Sequence, residues 1–216
     1  MRATRRQLDS QLILETLEKA QRKDARYLLG IVGYPGAGKS TTAGELAHRV
    51  NEIKGSEFAI VVPMDGFHLA NEVLEERKLR HLKGIPETFD AAAFLDLLKR
   101  LKTSPPADIG CPLFDRSIEA SIENGIVVKP VHKLIVIEGN YLLLDVAPWN
   151  EVRDILDECW FIDSTIDIVF PRLVKRHIEG GLTESGAKAK VDSTDLPNAH
   201  LIESTRKNAD LILEIE

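Results

Sequence analysis

The sequence predicts an α/β fold: a mostly parallel sheet of about five strands, covered by helices on both faces. Three observations predict it. Short apolar runs of strand length recur at residues 27–32, 58–64, 133–137, 159–162 and 211–215. Between them lie stretches whose apolar residues repeat at helical spacing, and such alternation builds a parallel sheet flanked by helices. Three of the runs end in a carboxylate, at Asp65, Glu138 and Asp163, and ligands of open α/β sheets bind beyond the carboxyl ends of the strands.

Each element has its own signal. Residues 5–22 read as an amphipathic helix, with Leu8, Leu12 and Leu17 on one stripe. The run 27–32 is a buried strand ending at Gly33. Residues 39–54 are helical and Gly55 stops them. The valine-rich run 58–64 is the second strand. A polar, helical stretch then continues to Lys83, where Gly84 and Pro86 break it. Residues 88–102 form a helix through Phe89, Ala92, Leu95, Leu98 and Leu101, and Ser104-Pro105-Pro106 ends it. The stretch 111–130 reads as irregular, with short strands around 125–128. Residues 166–178 are helical. Gly180-Gly181 opens a polar segment that reads as a mobile lid over about 179–195. Residues 198–207 form a last helix before the strand 211–215.

The chain has 216 residues, the length of one domain with a small lid. Its composition, 44% hydrophobic and 29% charged, is that of a globular protein. A net charge of −6 argues against nucleic acid as the main partner, which calls for a basic face. Cys111 and Cys159 are isolated and the six histidines are scattered. Neither a disulfide framework nor a zinc site is expected, and a reducing cytosol is the default compartment. Arg2, Arg5 and Arg6 resemble the start of an export signal, but Glu15 interrupts the apolar run that would have to follow Leu12-Ile13-Leu14. No stretch reaches the ~20 apolar residues of a membrane span. The oligomeric state is left open, a homodimer included.

Residues 33–40, Gly-Tyr-Pro-Gly-Ala-Gly-Lys-Ser, complete a GxxxxGK[ST] phosphate loop. Glycines let backbone N–H groups turn inward around a phosphate, and the following helix points its positive end at the same anion. Lys39 supplies a point charge to the β- and γ-phosphates, and Ser40 a hydroxyl to Mg²⁺. Gly33, Tyr34, Pro35, Gly36, Ala37, Gly38, Lys39, Ser40 and Thr41 are therefore the expected nucleotide contacts. The loop lies between a strand and a helix, as this mechanism needs. By composition alone the four fixed positions recur in roughly 1% of chains this long. No NKxD guanine-reading motif is present, so ATP is the expected nucleotide.

Asp65 stands where an acceptor hydroxyl could lose a proton, or else it caps the turn before His68. Glu138 suits the acid that holds the metal's water shell, or is a solvated strand end. Asp163, followed by Ser164-Thr165, reads as a turn residue. Arg172 and Arg176, four apart, share a helix face near the lid and can reach a transferring phosphoryl group; the alternative is a solvated basic face. His177 reads as a packing or surface residue.

Four motifs occur in order: the phosphate loop, Asp65-Gly66-Phe67-His68, Lys83-Gly84-Ile85-Pro86-Glu87-Thr88-Phe89-Asp90, and residues 137–144, Ile-Glu-Gly-Asn-Tyr-Leu-Leu-Leu. Together they resemble the uridine kinase, pantothenate kinase and phosphoribulokinase group of P-loop kinases, and most nearly the bacterial fructose transport system kinases. The resemblance covers nearly the whole chain after the first helix. It implies the three-layer P-loop NTPase fold, ATP and Mg²⁺. It implies that Asp65 acts as base on the acceptor hydroxyl, that Glu138 and Ser40 place Mg²⁺, and that Arg172 and Arg176 are lid arginines. It sets Asp65, His68 and, through Phe114-Asp115-Arg116-Ser117, Arg116 on the acceptor side. At the strand end uridine kinases carry a second Asp and a Tyr, where this chain has Gly66 and His68.

Three functions compete. The first is a kinase that passes the γ-phosphate of ATP to an alcohol of a sugar, nucleoside or pantothenate-like molecule. The second is an ATPase that uses hydrolysis as a switch. The third is a nucleotide-binding module without chemistry. A kinase needs an acceptor-side base and a lid that excludes water; Asp65 and the 179–195 segment supply both. No large partner-facing insertion marks a switch, and Lys39, Ser40 and Asp65 argue against lost chemistry.

Overall fold

In a computed structural model of the chain, which describes residues 3–5, 8–103 and 106–214, one six-stranded sheet carries the site. The strands in chain order are β1 (Ala3–Arg5), β2 (Tyr27–Val32), β3 (Ala59–Pro63), β4 (Ile109–Asp115), β5 (Ala120–Val128), β6 (Leu134–Gly139), β7 (Glu158–Asp163) and β8 (Leu211–Glu214). The sheet runs β1-β8-β7-β2-β6-β3, and each of its pairings is parallel. β4 and β5 stand outside it as an antiparallel hairpin.

Register explains why three distant segments meet. Ile31 lies opposite Glu138 and Val32 opposite Gly139, while Pro63 on the other side also faces Glu138. The ends of β2, β6 and β3 are therefore level, and the turns that follow share one rim. β2 and β6 are buried at all six positions, as inner strands of a sheet covered on both faces must be. β3 is an edge strand, which is where a residue without an N–H, Pro63, is tolerated.

The helices are α1 (Ser10–Arg22), α2 (Lys39–Lys54), α3 (Asn71–Glu76), α4 (Ala91–Thr103), α5 (Val152–Ile155), α6 (Ile166–Glu179), α7 (Glu184–Lys190) and α8 (Leu196–Glu203). The first helix starts later than the expected residue 5. Asp9 caps it, Oδ1 accepting from the Leu12 N–H at 2.7 Å. Ala3–Arg5 instead pairs with β8 and adds the sixth strand. The helix expected from residue 88 begins at Ala91, after a 3₁₀ turn at Pro86–Thr88. The expected stop at Ser104-Pro105 and the last residue of the final strand, Ile215, lie outside the described residues. The 179–195 segment, expected as a lid, is mostly helical. Thr183 caps α7 by accepting from the Gly186 N–H at 3.2 Å, and a π turn at Val191–Asp195 leads into α8. α8 spans Leu196–Glu203, with a 3₁₀ turn at Arg206–Asn208, where one helix over 198–207 was expected.

The region 111–130, expected to be irregular, is the long β4–β5 hairpin. β5 is exposed along most of its length and buried only at Val128, so it shows no apolar alternation. A bulge between Cys111 and Leu113 contains Pro112, which has no N–H for the ladder. At that point the hairpin meets the turn after β3: a Cβ on Gly66 would stand 2.2 Å from the Pro112 carbonyl oxygen. Gly66 departs from the uridine kinase pattern because β4 occupies the space a side chain would need. Among the described residues no helix is long and apolar enough to cross a membrane.

Candidate active site

The phosphate loop joins β2 to α2. Gly36 and Gly38 hold φ of +80° and +97°, left-handed values that favour glycine, and these let the chain wrap inward. α2 begins at Lys39, so its positive end faces the loop. Lys39 is buried, and its Nζ donates to the Tyr34 carbonyl at 3.1 Å. Burial lowers its pKa to about 8, against the pull of Glu138 and Asp65. Ser40 Oγ donates to Glu138 Oε1 at 2.9 Å. Glu138 is itself buried; desolvation raises its pKa, opposed by Lys39.

Beneath the loop, the Tyr34 hydroxyl donates to the Ser164 carbonyl, and its ring meets Phe161 edge-on at 6.1 Å. Gly33, Tyr34 and Ala37 are buried, and the Tyr34 side chain props the loop from below. Pro35, Gly36, Gly38, Lys39, Ser40 and Thr41 line the cleft.

Opposite the loop, Asp65 sits in the 3₁₀ turn Met64–Phe67 that ends β3. Arg116, at the hairpin tip, donates to Asp65 Oδ2 at 2.9 Å. The expected alternative of a capping Asp65 finds no such bond; its carboxylate holds a guanidinium. His68 Nδ1 lies 2.9 Å from the Asp65 carbonyl oxygen. Its ring packs between Phe89 and Phe114, with centroids at 4.0 and 4.9 Å. Burial lowers its pKa, against the attraction of Asp65.

The Lys83–Asp90 motif builds the adjoining wall. Thr88 Oγ1 accepts from the Gly84 N–H at 2.9 Å and donates to the Ile85 carbonyl at 2.7 Å, which closes the turn. The Tyr141 hydroxyl donates to the Gly84 carbonyl. Lys83 Nζ donates to Asn71 Oδ1 at 2.9 Å and to the Glu119 carbonyl at 3.2 Å, and lies 4.8 Å from the Phe114 ring centre.

The third wall is α6 and the segment after it. Arg172 Nη1 donates to the Gly36 carbonyl at 3.3 Å. Arg176 is reached by water but stands inside the cleft; the protein around it, then Arg116, lowers its pKa. His177, expected as a packing or surface residue, places Nε2 2.7 Å from Asp195 Oδ2 and so ties α6 to the π turn. Lys190 Nζ donates to the His81 carbonyl at 2.7 Å. Asp163, expected as a turn residue, is the last residue of β7 and pairs with Arg206 away from the cleft.

These walls enclose a cleft of about 1540 Å³. It gathers Lys39, Ser40, Thr41, Asp65, His68, Arg116, Glu138, Arg172 and Arg176. Sequence reasoning missed Asn140, Arg80, His81, Lys190 and Asp195, which also line it, and gave Lys83 no role. Lys83 and Asn140 lay within the quoted motifs. The others carry no local signal.

This fold and cleft make the chain a P-loop kinase. It is 34% identical over 195 residues to the Schizosaccharomyces pombe protein named "Putative uridine kinase C227.14", covering 88% of this chain and 83% of the relative. It is 35% identical over 181 residues to Escherichia coli YggC, with 84% and 74% covered. It superposes on the crystal structure of a "putative fructose transport system kinase" from Silicibacter sp. TM1040 with a TM-score of 0.85 and 37% identity, covering 95% and 98% of the two chains. No family model matches. The chain belongs to the uridine kinase-like family of P-loop kinases, and is an ATP-dependent phosphotransferase acting on a small molecule.

Proposed function

We propose that the chain transfers the γ-phosphoryl group of ATP to an alcohol of a small molecule, with Asp65 as the base. The observation that carries this reading is the placing of Asp65: it ends the strand next to the Glu138 strand and faces the same cleft as Lys39. The acceptor oxygen attacks the γ-phosphorus, its proton passes to the Asp65 carboxylate, and the bond to the β-phosphate oxygen breaks to release ADP. Lys39 and the loop amides bind the phosphates. Arg172 and Arg176 offset charge on the transferring group. Closure of residues 179–195 over the cleft excludes water.

The donors present suit Mg²⁺. Ser40 Oγ and the Glu138 carboxylate form a ready pair of oxygens. Among the described residues no cluster of three or more His, Cys, Asp or Glu side chains could hold a metal alone. That suits an ion that keeps waters and takes phosphate oxygens as ligands. When bound, it neutralises charge on the phosphates. Both free cysteines are buried, which accords with a reducing cytosol.

The test is an acceptor panel of sugars, nucleosides and pantothenate-like alcohols, read by ADP release and by mass detection of the phosphate ester. Acceptor-dependent ADP release with a matching product mass is expected. Fast ATP hydrolysis that no alcohol alters, but a protein partner raises, would favour a switch.

A further inference from the structure

Arg116 is more than half exposed, and its guanidinium has one hydrogen-bond partner among the described residues, Asp65 Oδ2. The contact uses Nη2 alone, so most of the five-donor fork remains open to the cleft. The carboxylate it holds is the group assigned to the acceptor hydroxyl. The contact takes Oδ2 and leaves Oδ1 to the hydroxyl; when the carboxylate takes the proton, Arg116 loses its counter-charge.

Among the described residues no other carboxylate stands within ion-pair distance of Arg116. Glu119 on the same hairpin already serves two cations, Lys83 at 3.5 Å and Arg80 at 4.0 Å. Lys190 adds a further cation on the facing wall, and Asp195 beside it is held by His177. With Asp65 engaged, Arg116, Arg80 and Lys83 share the corner with Glu119, and the buried Glu138 acts on Arg116 only from further off. This corner is cationic in a chain whose net charge is −6. Like charges gathered in one corner repel one another, and a bound anion relieves that repulsion.

We propose that the acceptor carries an anionic group, a carboxylate or a phosphate, beside its hydroxyl, and that Arg116 leaves Asp65 to bind it. The proposal rests on Asp65 as the base. Arg116 then sets specificity in two ways. Its planar fork matches carboxylate or phosphate oxygens in pairs. In the absence of an anion it stays on Asp65 Oδ2 and competes with the acceptor hydroxyl for that oxygen. Exposed ion pairs of this kind are weak, so exchange for a better anion is easy.

The experiment compares matched acceptors: neutral alcohols against their phosphorylated or carboxylated counterparts, with Mg·ATP, for wild type, Arg116→Gln and Arg116→Lys. Product mass and ADP release are read for each. The anionic member of a pair is expected to be phosphorylated and the neutral member not. Arg116→Gln raises KM for the anionic acceptor about 10- to 100-fold, the range of a lost charge-assisted hydrogen bond, with a smaller change in kcat. Arg116→Lys keeps part of the preference. Neutral acceptors turned over as fast as their anionic counterparts overturn the anionic group while leaving the kinase reading intact. A preference unchanged in Arg116→Gln overturns the role of Arg116. A panel in which no alcohol of either kind is phosphorylated overturns the alcohol-kinase reading and this proposal with it.

Discussion

Asp65 and Lys39 carry the sharpest residue-scale predictions, because each has one chemical property that a near-isosteric or truncated variant removes. Asp65→Asn keeps shape and loses the ability to take a proton. We expect kcat to fall ~10²–10⁴-fold, the usual range for a general base, with the ATP dissociation constant changed less than about threefold. Its partner is the half-exposed Arg116, so the melting temperature should barely move; exposed pairs contribute about 0–1 kcal/mol. A normal kcat with lowered stability would return Asp65 to a structural role. Lys39→Ala should abolish turnover, since among the described residues no other cation is buried beneath the loop; activity within tenfold of wild type would remove this loop as the ATP site. His68 gives a pH dependence. Burial depresses its folded pKa below the ordinary 6.5, so above pH 6.5 it is neutral in both states and costs nothing. As pH falls below 6.5 the unfolded chain takes up the proton and the folded chain resists it, so stability falls. His132, also depressed by burial, adds in the same direction. Melting curves between pH 7 and 5 should show this fall, and His68→Gln should make it smaller. The loop and the strand-end carboxylates were legible in the sequence because their chemistry demands fixed residue types at fixed points of the chain. Arg80, Lys190 and Asp195 were not, because they reach the cleft from separate elements with no shared spacing.

Among elements, those buried on both sides read most clearly. β2 is an apolar run and β6 is one up to Glu138, as strands buried on both faces are. Of the β4–β5 hairpin only the stretch around 125–128 read as strand, because β5 faces water at nearly every position, and α7 was missed because it is polar. The start of α1 did have a signal, Asp9 as cap, but the leucine stripe drew the helix too far back. Gly66→Ala tests the hairpin's seat. A methyl group cannot lie 2.2 Å from the Pro112 oxygen, so β4 must move. Overpacking of this kind costs about 1–3 kcal/mol. Because Arg116 rides on that hairpin, acceptor-dependent turnover should drop more than ATP binding; unchanged turnover would mean that the hairpin does not shape the acceptor side. On α6, Arg172→Ala and Arg176→Ala should each lower kcat more than ATP affinity, and the double variant further still. Single arginine fingers reach 10³–10⁵ in rate, and a smaller loss is expected per residue when two share the task. No change in the double variant would reduce them to a solvated helix face.

At the scale of the whole molecule, nucleotide binding should couple to global stability, because the loop joins the buried strand β2 to α2. Mg·ATP at 100 times its dissociation constant should stabilise by about 2.7 kcal/mol, a rise of roughly 5–10 °C in melting temperature for a chain of this size. Lys39→Ala should cancel the rise, and an equal rise in that variant would place the nucleotide elsewhere. The division of labour in the fold has a further consequence. The hairpin donates no strand to the central sheet, and its outer strand buries little. Changes along β5 and at its tip therefore touch few of the contacts that hold the sheet together. Over evolutionary time this makes the hairpin a tolerant region: mutations there can reshape the wall that Phe114, Arg116 and Glu119 give the cleft while the phosphate loop stays fixed. A lineage built on this scaffold can vary one surface appendage without first having to relearn how to fold.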